Sequence, residues 1–309
     1  MTYSMTHLNR PQENVYLPLE LNLRSAMKSQ PSIEELEDIA TQVRRDILRM
    51  VHGAKSGHPG GSLGCAEFLV AMYFRQLQMH DNFSMEGHSE DLFFLSNGHI
   101  SPLWYSVLAR KGFFPLEELT TFRKINSRLQ GHPATQEGLP GVRVASGSLG
   151  QGLSVAIGAA LSKKLHSDDH LVYVLMGDGE QEEGQIWEAG LFAAHHKVDN
   201  LIATIDYNGQ QIDGPVDDVM SLKDLKSKWQ SFGWQVIESD GNDMNSVIKI
   251  MDHARSLTGK EMPVMHLLKT DMGFGVDFMR GSHKWHGIPP NDEQLETALS
   301  QLNETIGDF

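Results

Sequence analysis

The sequence predicts an α/β domain: a mainly parallel sheet with helices on both faces. Short apolar runs of strand length alternate with amphipathic stretches of helix length, which implies crossover connections and a sheet covered on both sides. Neither an internal repeat nor a low-complexity tract interrupts the alternation. Glycine-rich polar segments follow the strands directly, where open parallel sheets place their ligand sites.

Residues 1–31 are weakly patterned, carry Pro11, Pro18 and Pro31, and read as an arm. Ser32 with Glu35 makes a capping box, and Ile33, Leu36, Ile39, Val43, Ile47 and Met50 fall at helical spacing. That helix runs into "GAKSGHPGGSLG", and a second helix follows with Phe68, Leu69, Met72, Tyr73 and Leu77. Strands are expected at 91–95, 171–176, 201–206, 234–238 and 264–269, with helices at roughly 150–165, 183–197, 221–232 and 244–258. One α/β domain then covers residues 32–290, and a short polar tail covers 291–309.

Composition narrows the function classes. The chain of 309 residues is 40% apolar and 21% charged, ordinary for a globular protein. A formal charge of −14 argues against a nucleic-acid or membrane surface, although it leaves phosphate ligands open. The single cysteine, Cys65, fits a reducing compartment and reads as a small buried hydrophobe. With no apolar run of membrane-spanning length and no secretory signal, the expected location is cytoplasmic.

Four carboxylates and three glycines crowd "MGDGEQEEG", residues 176–184, at the end of an apolar run. Asp178 follows one predicted strand, and Asn208 follows the next. A magnesium-sized ion takes six oxygens in a tight octahedron, and Asp178, the Asn208 amide and the Gln210 carbonyl would supply three, with a diphosphate and water completing the set. Gly177 and Gly179 would let the backbone approach phosphate. Acidic residues in a first helical turn suit the helix dipole, which suffices for Glu180 and Glu182. Several of the 15 histidines lie in four glycine-bordered strings, "SGHPGG" (His58), "SNGH" (His99), "QGHP" (His132) and "GSHKWHG" (His283 and His286). Imidazole suits proton movement on and off sugar hydroxyls near neutral pH.

The Gly-Asp-Gly motif with its later asparagine, together with "GDGEQEEGQIWEAGLFAAHHKVDNLIATIDYNGQQIDG", resembles the transketolases, from about residue 36 to about residue 290. The resemblance implies a thiamine-diphosphate-binding fold, specifically the diphosphate-binding domain, with thiamine diphosphate and Mg2+ (or Ca2+ or Mn2+) as cofactors. It maps the metal ligands onto Asp178, Asn208 and Gln210. Contacts to the cofactor map onto His99, Gly147, Leu149, Gly179, Asn208 and His286. His58 and His286 would face the reacting carbonyl and hydroxyl, and His132 the terminal hydroxyl of the ketose. Ser148, within "ASGSLGQGLS", stands where many full-length members have proline. His283 has no secure counterpart, while Glu183 and Glu188 would form a proton relay at a subunit interface.

The implied activity is transfer of a two-carbon ketol unit from a ketose phosphate to an aldose phosphate, xylulose 5-phosphate and ribose 5-phosphate being the expected pair. A second α/β domain, which supplies a cofactor-activating glutamate and phosphate-binding arginines in transketolases, is not present before Phe309. The expectation is therefore a split enzyme, active only with a C-terminal, pyrimidine-binding subunit of about 300 residues, in a heterotetramer of two halves. Rival readings are a split enzyme for an unusual sugar, an α-type subunit of a 2-oxo acid dehydrogenase, and a non-catalytic scaffold.

Overall fold

The computed structural model describes residues 30–309, so the expected arm lies, up to residue 29, outside the described residues. Helix α1 (Ile33–Ala54) begins at the expected capping box: Ser32 Oγ accepts the Glu35 N–H at 3.2 Å, and Glu35 Oε2 accepts the Ser32 N–H at 2.7 Å. Lys55, in the left-handed region at φ 49°, ends it by donating its N–H to the Val51 and His52 carbonyls. The glycine-rich string folds into α2 (Pro59–Gly64), and α3 (Ala66–Ala71) follows, running into a π-helical turn at Met72–Gln76.

The remaining helices are α4 (Ser101–Lys111), α5 (Gln151–Leu165), α6 (Gly184–His195), α7 (Val216–Met220), α8 (Leu225–Ser231), α9 (Met244–Leu257) and α10 (Asp292–Ser300). The strands are β1 (Leu92–Leu95), β2 (Val172–Gly177), β3 (Leu201–Tyr207), the hairpin β4 (Gln210–Gln211) and β5 (Gly214–Pro215), then β6 (Gln235–Asp240) and β7 (Val264–Lys269). Strand ends agree with the expected ones to within two residues. The helix expected over 221–232 starts instead at Leu225, because Asp224 caps it by accepting the Ser227 N–H at 2.9 Å.

Five parallel strands form the main sheet in the order β1-β2-β3-β7-β6. Their side chains alternate between two apolar layers. Phe93, Leu95, Tyr173, Leu175 and Leu268 join residues of α1, α3, α4 and α9 on one face. Leu92, Phe94, Val172, Val174 and Met176 join residues of α5, α6 and α8 on the other. Each fully buried apolar side chain contributes about 1.5–3 kcal/mol, so this double-sided burial dominates the stability of the sheet.

Residues 291–309, expected as a polar tail, are packed. Asn291 and Gln294 form a second capping box at α10, Leu302 is buried, and Asp308 accepts from Arg45 Nε and Nη2 at 2.8 and 2.7 Å. The apolar signal of this segment is a few residues spaced among polar ones, too sparse to separate a docked helix from a solvated tail. Ser32–Phe309 form one compact unit. Parallel strands bring all their carboxyl ends to one edge, which therefore collects Ser96–His99 after β1, Asp178 after β2, Asn208 after β3 and Thr270 after β7.

Candidate active site

Register explains the acidic end of the site. Gly177 on β2 pairs with Asp206 on β3, so Asp178 emerges beside the residues leading to Asn208. The Asp178 carboxylate is buried and accepts the Gly179 N–H at 2.8 Å and the Gly209 N–H at 2.5 Å. Its own N–H donates to the Asp206 carbonyl at 3.1 Å. Burial, and then the negative charge of Asp206, push the Asp178 carboxyl up to about 8. Asp206 is buried too; it accepts Asn208 Nδ2–H at 2.8 Å and the Thr270 hydroxyl. The Asn208 Oδ1 accepts the Gln210 N–H at 2.8 Å, and Gln210 opens the β4–β5 hairpin. Among the described residues no group of three His, Cys, Asp or Glu side chains is arranged to hold a metal; this edge carries the Asp178 and Asp206 carboxylates, the Asn208 amide and backbone groups.

The histidines expected at the site come together from four separate loops. Ring centroids lie 5.2 Å apart for His58 and His99, 5.5 Å for His58 and His286, 5.0 Å for His99 and His286, and 6.2 Å for His58 and His132. Burial, then the charges of His286, Arg123 and His132, lowers His58 to about 4. Burial is also the main cause that holds His99, His132 and His286 below the usual imidazole range. All four are therefore neutral at pH 7, each with one ring nitrogen free to donate and one to accept. His283 stands apart: it starts a short 3-10 turn, His283–Trp285, and makes no ring contact with the cluster.

Close backbone approach ties the two ends together. Gly98, beside His99, has no room for a Cβ, which would lie 2.7 Å from the Ser146 carbonyl carbon and 2.8 Å from the Gly147 nitrogen. Gly147, at φ 127°, lies under His132, whose Cδ2 would be 2.7 Å from a Cβ there. Leu149 is half-buried in the same loop, and Gly179 packs against Gln211. Glu183 and Glu188 are exposed at the start of α6.

Three features of the site were not legible as motifs. Glu180, which its position alone would assign to the helix dipole, is instead buried and accepts from the Ser96 hydroxyl, from Gly150 N–H at 2.8 Å and from Gly177 N–H at 3.0 Å. It binds the ends of β1 and β2 to the loop that carries Gly147 and Leu149. Asp206 orients the Asn208 amide, and its place two residues before Asn208 at a strand end was the available signal. Asn97 lies over Gly177, which would place a Cβ 4.0 Å from the Asn97 Cβ, and its Oδ1 is buried without a partner.

A parallel sheet that gathers a buried aspartate, a half-buried asparagine and imidazoles at its carboxyl edge is the arrangement of an α/β protein that binds its ligand at that edge. The chain belongs to the family of the transketolase, thiamine diphosphate binding domain, which it matches over residues 36–304. It is 39% identical over 274 residues to one of the named subunits of the apulose-4-phosphate transketolase of Phocaeicola vulgatus, a match covering 89% of this chain and 96% of that one. The 6-deoxy-6-sulfo-D-fructose transketolase subunit SqwG of a Clostridium species is 36% identical, with 87% and 97% covered. Human transketolase is 34% identical over 90% of this chain, which spans 43% of its length. The transketolase structure from Campylobacter jejuni superposes with a TM-score of 0.81 at 32% identity, covering 88% of this chain and 43% of that one. The family is one of transferases, and the domain binds thiamine diphosphate. Among the described residues no helix is long and apolar enough to cross a membrane.

Proposed function

We propose that this chain is the diphosphate-binding subunit of a two-chain transketolase, moving a two-carbon ketol unit from a ketose phosphate to an aldose phosphate. The observation that carries the reading is the meeting of His58, His99, His132 and His286 at the sheet edge that also holds Asp178 and Asn208. The residues suit the cofactor. His58 Nδ1, His286 Nδ1, Asn97 Oδ1 and Ser146 Oγ are buried without hydrogen-bond partners, as polar atoms are when a polar ligand is to satisfy them. The carboxylate, amide and carbonyl donors are hard oxygens suited to Mg2+, with Ca2+ or Mn2+ as alternatives.

Asp178, Asn208 and Gln210 would hold the cation on the diphosphate, with Gly179 and His99 beside the phosphates and Gly147 and Leu149 supporting the ring. When bound, thiamine diphosphate supplies the nucleophilic carbon and electron sink for breaking and remaking a carbon–carbon bond. His58 and His286, both neutral, would orient the substrate carbonyl and its neighbouring hydroxyl and take or return a proton there. His132 holds the terminal hydroxyl. His58, His99 and His286 are half-buried, which limits the access of water to the protons they handle, while His132 lies exposed at the mouth of the cluster.

The partner is a pyrimidine-binding subunit of about 300 residues, joined in a heterotetramer of two halves and working in the cytoplasm. On α6, Glu188, Leu191, Phe192 and His195 follow helical spacing on one face, and exposed Leu191 and Phe192 favour a covered surface beside the Glu183–Glu188 relay. Affinity purification of the tagged chain tests the assembly. A stoichiometric second chain whose addition creates ketol transfer is the expected result; substantial turnover by the pure single chain overturns it.

A further inference from the structure

Glu180 caps a helix to which it does not belong. Helix α5 follows Gly150, which has no side chain to satisfy the first N–H groups, and its first turn holds no acidic residue. Those groups find oxygens from elsewhere in the chain. Gly150 N–H donates to Glu180 Oε1 at 2.8 Å, and Gly152 N–H to Ser96 Oγ at 3.1 Å. The Ser96 hydroxyl in turn donates to Glu180 Oε1, and Gly177 N–H donates to Oε2 at 3.0 Å. Glu180 and Ser96 are both buried, so water does not readily replace a bond lost here.

The helix start is pressed against its neighbours. A Cβ at Gly152 would lie 2.4 Å from Ser96 Cβ, and one at Gly150 2.9 Å from Glu183 Cβ. Gly150 is also left-handed, at φ 84°, a conformation that suits glycine. The loop before it is tied at two points: Ser146 N–H donates to the Pro133 carbonyl at 3.1 Å, and Gly150 N–H to Glu180. Between those ties stand Gly147 and Leu149. A helix start after a glycine-rich loop is a usual place for a phosphate. Here a carboxyl oxygen of the protein itself takes the Gly150 donor, so this end of α5 fixes the loop instead of receiving the anion.

We infer that Glu180 is a positioning residue for the cofactor, one that sets the Gly147–Leu149 loop in its binding place before the cofactor arrives. Holding the loop in advance removes its ordering cost from binding. The effect passes through the loop and not through contact, because Ser96, Gly150 and Gly177 already engage both carboxyl oxygens. The inference rests on the transketolase reading, in which Gly147 and Leu149 support the cofactor ring.

The test uses the complex with the partner subunit. Glu180→Gln keeps the shape of the side chain, but each carboxyl oxygen faces a backbone N–H. Whichever way the amide turns, its NH2 therefore opposes one of them. Calorimetry with thiamine diphosphate and Mg2+ should show binding about tenfold or more weaker, the range for a buried donor left unpaired. Amide hydrogen exchange at Gly150 in the cofactor-free complex should quicken by a similar factor. Glu180→Asp, which keeps two acceptor oxygens, should recover part of both losses. A lowered melting temperature with wild-type cofactor affinity would assign Glu180 to stability alone and overturn the inference, as would unchanged exchange at Gly150. Failure of the transketolase reading looks different: the wild-type complex then does not bind thiamine diphosphate, while exchange at Gly150 still depends on Glu180. Should Glu180→Gln not fold, Ser96→Ala removes the hydroxyl that joins Glu180 to Gly152 and carries the same comparison, with smaller losses in the same order.

Discussion

The imidazole of His286 meets that of His58 edge-on, with 89° between their planes and 5.5 Å between centroids, and neither Nδ1 has a hydrogen-bond partner. Two sheltered imidazoles this close resist protonation because the first proton disfavours the second and burial disfavours both. His58 accordingly lies at about 4.

The pH dependence follows from that sign. In the unfolded chain His58 titrates near 6.5, roughly its ordinary value, and in the fold at about 4. Between these values the unfolded state binds more protons, so His58 makes stability fall as pH drops from about 6.5 towards 4. His58→Gln should flatten that part of the melting-temperature profile of the chain. Histidine ring NMR should find His58 still neutral at pH 6; an ordinary titration near 6.5 would remove the basis of this account.

Asp178 is displaced in the opposite sense. Its folded carboxyl sits at about 8 against an unfolded value of 3.8, so above pH 4 the folded state without cofactor binds the extra proton and loses stability as pH rises through 8. Asp178→Asn is expected to raise the melting temperature of the cofactor-free chain at pH 8 by a few degrees. The further rise on adding thiamine diphosphate with Mg2+ should vanish in the same variant. A cofactor-induced rise equal to wild type would exclude Asp178 from the metal site.

Gly98→Ala tests the close approach of the His99 loop to the Gly147 loop. The added methyl would meet backbone atoms at 2.7 and 2.8 Å, which cannot turn aside as a side chain can. Strain of this kind costs about 1–3 kcal/mol, and here it separates loops expected to hold the cofactor. Cofactor affinity in the complex, read by calorimetry, should drop tenfold or more while the melting temperature changes by only several degrees.

Arg110 and Asp46 form a buried pair: Asp46 is fully buried and accepts Arg110 Nε at 2.7 Å, Nη2 at 2.8 Å and Ser106 Oγ at 2.7 Å. Arg110→Ala leaves the carboxylate buried and unpaired, with an expected loss of about 3–5 kcal/mol in denaturant unfolding. Arg110→Met combined with Asp46→Leu should recover most of it, because no charge is then stranded. Loss of Arg110 also frees Gly307, whose carbonyl accepts from Arg110 Nη2 at 2.8 Å, so the end of the chain should become protease-sensitive first.

What the sequence by itself determined about this protein is its local and periodic structure. The Ser32–Glu35 capping box, the five strands and the long helices are set by hydrogen bonds within a few residues and by apolar spacing, which any reader of the chain can count. The Asp178 and Asn208 strings were legible for the same reason: each follows a strand, and a parallel sheet sends every such end to one edge. Tertiary structure alone decided which other groups reach that edge. Glu180 looks like a residue of a helical first turn until the loop at Gly150 and the strand end at Ser96 close over it. Asp308 looks like part of a solvated tail until Arg45 of α1 meets it. Arg123 is one arginine among several until Gly131 leaves room for its guanidinium and Ser56 accepts from it, beside the loops of His132 and His58. Burial and the pairing of charges depend on residues distant in the chain, and no spacing rule along one segment encodes them.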